Sequence, residues 1–82
     1  MNKLFLLTLK SEQGLHSHHD YNKKFVISAP TPARARKMAS EKAFDEGPMT
    51  WENPELSRCK MIADMSKLGE NIVCVESNVH PF

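Results

Sequence analysis

His16-Ser17-His18-His19-Asp20 places three imidazoles and a carboxylate within five residues. These residue types ligate metals. Zinc, however, takes four ligands in a tetrahedron, usually supplied as two separated pairs. His18 and His19 are adjacent and tend to diverge, and no second pair accompanies them. Cys59 and Cys74 lie 15 positions apart, and no C-x-x-C occurs. The cluster reads as a polar loop that could touch a partner, with a small zinc-binding protein using His16–His19 as an alternative. No metal ligand and no cofactor is assigned.

Nucleophilic catalysis finds no foothold. The chain has no G-x-S-x-G and no local Cys–His arrangement, and its three scattered glycines make no phosphate-cradling loop. Asp45 and Glu46 are paired carboxylates beside Gly47, at the end of a predicted helix. Acids there oppose the helix dipole, and both read as solvated. The expectation is a protein that is not an enzyme.

Five cations form the candidate partner-binding set: Lys23, Lys24, Arg34, Arg36 and Lys37. Lys23 and Lys24 open a predicted strand. Arg34, Arg36 and Lys37 fall in the first turns of the helix that follows, where the dipole disfavours positive charge. Together they could form a basic edge for an acidic protein surface or a phosphate backbone. Only Tyr21 and Phe25 lie nearby as rings, too few for a base-stacking platform.

The elements that must position these residues come from 82 positions, enough for one domain spanning residues 1–82. A chain this short buries only about 60–65% of its unfolded surface. It carries 40% hydrophobic and 26% charged residues, a globular composition, and its net charge of +1 excludes a strongly basic nucleic-acid coat. Residues 1–44 hold eight Lys/Arg against three acids, and residues 45–82 hold three against seven. Such polarity can orient a partner. Two cysteines do not make a secreted disulfide framework and read as buried thiols in a reducing compartment. The apolar start around Leu4–Leu7 is broken by Thr8 and Lys10, too short for a signal peptide, and no run reaches the length of a bilayer span. The expected location is cytoplasmic, without membrane contact.

Residues 3–10 read as a strand with Phe5, Leu7 and Leu9 on one face and Leu4, Leu6 and Thr8 on the other; two apolar faces mark it as central. Residues 11–22 read as a loop. Residues 23–29 read as a second strand, with Phe25, Ile27 and Ala29 sharing a face. Thr31 is a helix cap and Pro32 suits the first helical position, so a helix is predicted over 33–46, stopped by Gly47 and Pro48. Its Ala35, Ala39 and Ala43 cluster within about 80° and let it sit close to a sheet. Phe44 falls off that face and is expected against Trp51. Residues 47–57 read as a connector anchored by Trp51. Residues 58–65 read as a strand alternating Cys59, Met61, Ala63, Met65 with Lys60, Ile62, Asp64. Residues 66–71 make a turn, and 72–77 a β-branched strand. The result is an α+β fold, β-β-α-β-β, with a small antiparallel sheet of about four strands and one helix packed on one face. Leu4, Leu6, Val26, Val73 and Val75 make the second face apolar in places. It is covered by the connector and Trp51, or by a dimer or partner.

The run Asp45-Glu46-Gly47-Pro48-Met49-Thr50-Trp51-Glu52-Asn53-Pro54-Glu55-Leu56-Ser57-Arg58-Cys59 follows Ala29-Pro30-Thr31-Pro32-Ala33-Arg34-Ala35-Arg36-Lys37-Met38-Ala39. This stretch, from about Val26 to Val75, resembles small phage-encoded accessory proteins of unassigned activity, which carry a DEGP-x-x-W-x-x-P-x-x-S/T-x-C connector. In size and layout the chain is also similar to anti-CRISPR proteins. These resemblances imply a non-enzymatic inhibitor or modulator in the host cell. It would bind stoichiometrically to a host protein complex, such as a nucleic-acid-bound nuclease, with Lys23, Lys24, Arg34, Arg36 and Lys37 as contacts. A direct nucleic-acid-binding module using the same basic edge is the alternative, and a homodimer is compatible with either.

Overall fold

The computed structural model describes residues 1–10, 21–44 and 46–78. In them, strands β1 (Asn2–Leu9) and β2 (Tyr21–Ala29) are followed by helices α1 (Pro32–Ser40) and α2 (Pro48–Glu52). Strands β3 (Ser57–Ser66) and β4 (Asn71–Asn78) complete the fold. The four strands form one antiparallel sheet in the order β3-β1-β2-β4, so β1 is central as its two apolar faces require. The α+β layout with a helix on one face is as the sequence predicts.

The alternation of β1 divides the sheet cleanly. Phe5 and Leu7 are buried with Phe25, Ile27 and Ala29 of β2, under Ala35 and Ala39 of α1 and Trp51 of α2. The small alanine faces let α1 sit close to the strands. The Trp51 ring meets Phe25 edge-on, with centroids 5.0 Å apart and an interplanar angle of 87°, the arrangement that opposes a ring's positive edge to another's negative face.

Several elements depart from the sequence reading. The residues read as a connector contain α2. They and Trp51 lie on the α1 side of the sheet, leaving the second face without that cover. Helix α1 starts as predicted, with Thr31 Oγ1 accepting from Arg34 N at 3.1 Å, but it ends at Ser40 rather than Glu46. Ser40 Oγ donates to the Lys37 carbonyl at 2.7 Å, competing with the helical ladder. The next turn tightens, with Lys42 N on Ala39 O and Ala43 N on Ser40 O. Asn22 Nδ2 then takes the Lys42 carbonyl at 2.8 Å. Gly47, at φ 81°, caps the start of α2 instead of ending α1; that positive φ is one a side chain rarely adopts.

Both edge strands carry bulges. Phe5 pairs with Met61 while Leu4 pairs with Ala63, so Ile62 is an extra residue in β3. Val26 pairs with Cys74 and Ile27 with Ile72, so Val73 is extra in β4. The predicted alternation of 58–65 therefore breaks at Ile62: Cys59 and Met61 share the helix face, and Ala63 moves to the other. Bulges of this kind blunt an edge against unwanted strand pairing.

Strands β3 and β4 are consecutive yet occupy opposite edges. Residues 67–70 cross the lower end of the β1–β2 pair between them. The crossing is fastened at the Leu68 carbonyl, which accepts from Asn2 Nδ2 at 2.9 Å and Ser28 Oγ at 3.2 Å. Ser28 Oγ also lies 2.9 Å from Ser66 Oγ, and Ser28 is fully buried. Arg34 Nε joins α1 to this strap through Glu70 at 2.9 Å.

Candidate functional site

The five predicted contact cations do not form one patch. Arg36 is spent inside the fold. Its Nη1 donates to the Trp51 carbonyl at 3.0 Å and Ser57 Oγ at 2.8 Å, and Nη2 donates to the Ser57 carbonyl at 3.2 Å. Arg34 is engaged by Glu70, whose hydrogen bond and charge raise the arginine's pKa further. Lys24 pairs with Glu76 at 3.3 Å across β2 and β4, on the face away from the helices. Lys23 is the extra residue of a further irregularity, between the Asn22–Ser77 and Lys24–Glu76 pairs. Lys37 is exposed on α1, one turn before Glu41.

Glu46, read as solvated, is the polar centre of the helical layer. Its carboxylate accepts from Asn22 N at 3.1 Å, Asn22 Nδ2 at 3.0 Å, Phe44 N at 3.1 Å and Trp51 Nε1 at 2.7 Å. Ser77 Oγ completes the cluster by donating to Asn22 Oδ1 at 2.6 Å. The carboxylate thus joins β2 to the α1–α2 linker at Phe44 and to α2 at Trp51. Phe44 is not against Trp51: it is 53% exposed. Asp45 and the His16–His19 cluster lie outside the described residues.

The cysteines are free. Cys74 is exposed, against the expectation of two buried thiols. Cys59 is half-buried on the helix face of β3, and burial raises its pKa, with the Arg36 charge acting the other way. The two sit on opposite edge strands and opposite faces, which precludes a disulfide within the chain.

Among the described residues two surfaces remain open. The helical layer packs mainly over β2, β3 and β1 and leaves β4 overhanging. A groove of about 530 Å³ opens there, between the end of α1 and β4. Phe25, Ala43, Phe44, Ile72 and Val75 form its apolar wall, with Glu41 and Lys42 also lining it. Val75 is 46% exposed beside it. The second surface is the face of the sheet away from the helices, bare among the described residues, and the pairing register orders its side chains. The upper row runs Arg58, Thr8, Lys24, Glu76 from the β3 edge to the β4 edge, and the next runs Lys60, Leu6, Val26, Cys74. Below them Leu4 lies between Ala63 and Ser28, and the strap closes the lower end. Arg58 and Lys60 thus share this face with Lys24. Alternation in the 58–65 run puts both on one side of a strand, but which neighbours they join depends on the sheet order.

Among the described residues no cluster of three or more His, Cys, Asp or Glu could hold a metal ion, and no helix is long and apolar enough to cross a membrane. No family model, curated protein or solved structure matches the chain.

Proposed function

We propose that this chain is a non-enzymatic binding protein of phage type that inhibits or modulates a host protein complex by stoichiometric docking. The observation that carries the reading is the groove beside β4. It joins an apolar wall, an exposed phenyl ring in Phe44, and an edge strand with one side unpaired among the described residues. Exposed apolar surface rimmed by charge marks protein–protein contact. A sheet edge beside a side-chain pocket is the arrangement that receives an extended peptide. The partner segment would lie along Cys74–Ser77, beyond the Val73 bulge, with an apolar side chain in the groove. Glu41 and Lys42 at the groove would offer one charge of each sign to polar groups flanking that side chain. The phage and anti-defence setting rests on the sequence resemblance.

The test is affinity capture from host extract, with and without nuclease, comparing the wild type with Phe44→Asp. Phe44 is exposed, so the variant should keep its melting temperature. The wild type should retain one complex near equal stoichiometry whether or not nuclease is present. The variant should lose it by at least about tenfold, as for an aromatic anchor. Capture that disappears with nuclease would instead make nucleic acid the ligand and defeat this reading.

A further inference from the structure

We propose that the bare face of the sheet is a self-complementary interface that pairs two copies of this chain face to face. Its upper row carries Arg58 at the β3 edge and Glu76 at the β4 edge, with Thr8 and Lys24 between them. Consider a second copy related by a two-fold axis parallel to the strands, lying between the two sheets. The rotation keeps each row at its own height and exchanges left for right. The β3 edge of one copy then faces the β4 edge of the other. Arg58 meets the second copy's Glu76, and the symmetric pair forms at the opposite edge, as an isologous interface demands.

The same operation works in the next row. Leu6 faces the second copy's Val26 and Val26 faces its Leu6, so half-buried apolar side chains cover one another at the centre. Lys60 lies over the exposed Cys74 at the rim. The alternative two-fold, in the sheet plane but across the strands, sets β3 against its own copy and so separates Arg58 from Glu76. Glu76 already holds Lys24 within its own copy at 3.3 Å. The second copy's Arg58, which has no acidic partner among the described residues, would give it a second cation.

Sheets packed this way lie about 10 Å apart, with their strands inclined by roughly 30°. The outer strands are about 14 Å apart, so the patch falls short of the roughly 800 Å² per partner of a standard interface. The dimer is therefore reversible, and its population rises with concentration. Charge placement sets its geometry more than its strength. It leaves the groove beside β4 free, because that groove lies on the helix side.

The test is sedimentation velocity over a concentration series on three samples: Arg58→Glu, Glu76→Arg, and an equimolar mixture of the two, against the wild type. Both residues are exposed, and melting temperatures verify that the variants fold. The wild type should show a reversible monomer–dimer equilibrium. Each variant alone sets like charges face to face and should weaken association at least about tenfold. The mixture should recover wild-type affinity, because a heterodimer restores both pairs. A chain carrying both substitutions should recover it as a homodimer. A wild type that stays monomeric throughout overturns the proposal. So do single variants that associate as the wild type does, or a mixture no tighter than its components.

Discussion

At the scale of single residues, Glu46 sets the shape of the helical layer. Four N–H donors from three residues converge on its carboxylate, one of them the indole of the fully buried Trp51. Hydrogen bonds to a charged acceptor contribute more than neutral ones. Leaving buried donors unmet is the costlier half of losing them. Glu46→Gln keeps the volume but turns one acceptor into a donor. It should destabilise the fold by about 1–3 kcal/mol, read as a lower urea midpoint in Trp51 fluorescence. A loss under half a kcal/mol would show that the carboxylate is replaceable. The sequence gives little warning of this role. Asp45-Glu46 at a helix end looks solvated because the donors that engage Glu46 include Asn22, 24 positions away.

At the scale of elements, α1 is held by two arginines of different worth. Arg36 ties it to the end of α2 and the start of β3 through three hydrogen bonds, with Ser57 fully buried beneath. Arg34 reaches Glu70 in the open, where an ion pair is worth little. Arg36→Ala should cost about 1–3 kcal/mol, and Arg34→Ala less than about 1 kcal/mol. Urea denaturation of the two variants side by side measures the contrast. Equal losses would mean that the strap ion pair carries as much as the internal network. The sequence marks the start of α1 through Thr31 and Pro32, because a cap is a local arrangement. It does not mark the end, which is decided by Asn22 and Ser40 taking carbonyls. The four strands are legible for the same local reason. The bulges are not, since Ile62 and Val73 suit a strand whichever way they point. Nor does the sequence order the sheet. A short polar run with Gly69 between two strands looks like a hairpin turn, and here it crosses the end of another pair. The basic set was legible as a composition but not as a surface, because sheet order and the Arg36 network separate its members.

At the scale of the molecule, one thiol couples the fold to pH. Burial raises the pKa of Cys59 above its value in the unfolded chain. The folded state therefore holds the thiol proton more tightly. The stability this contributes is complete below the unfolded thiol range, near pH 8.5. It is lost as pH rises through the folded value. Urea midpoints should fall between about pH 8 and 10 in the wild type, and the fall should be smaller in Cys59→Ala, whose thiol is gone. Identical pH profiles would remove Cys59 from the account. The same distribution of burial separates the two proposed docking surfaces. The groove and the bare face lie on opposite sides of one thin sheet, and no charge on either is needed to complete the other.

The strap across the lower end of the sheet also dictates an order of assembly. Because β3 and β4 flank the β1–β2 pair from outside, neither can close on the other as a local hairpin. Each must find a strand laid down much earlier in the chain, and such distant pairings form slowly. During synthesis β2 keeps an open, apolar-flanked edge until residues 71–78 have emerged. The span of synthesis before β3 and β4 emerge, when both edges of the β1–β2 pair are open, is thus the time when a nascent chain is most open to joining the wrong neighbour. Pairing of β4 closes the β2 edge and moves the exposed edge to the bulged outer strand.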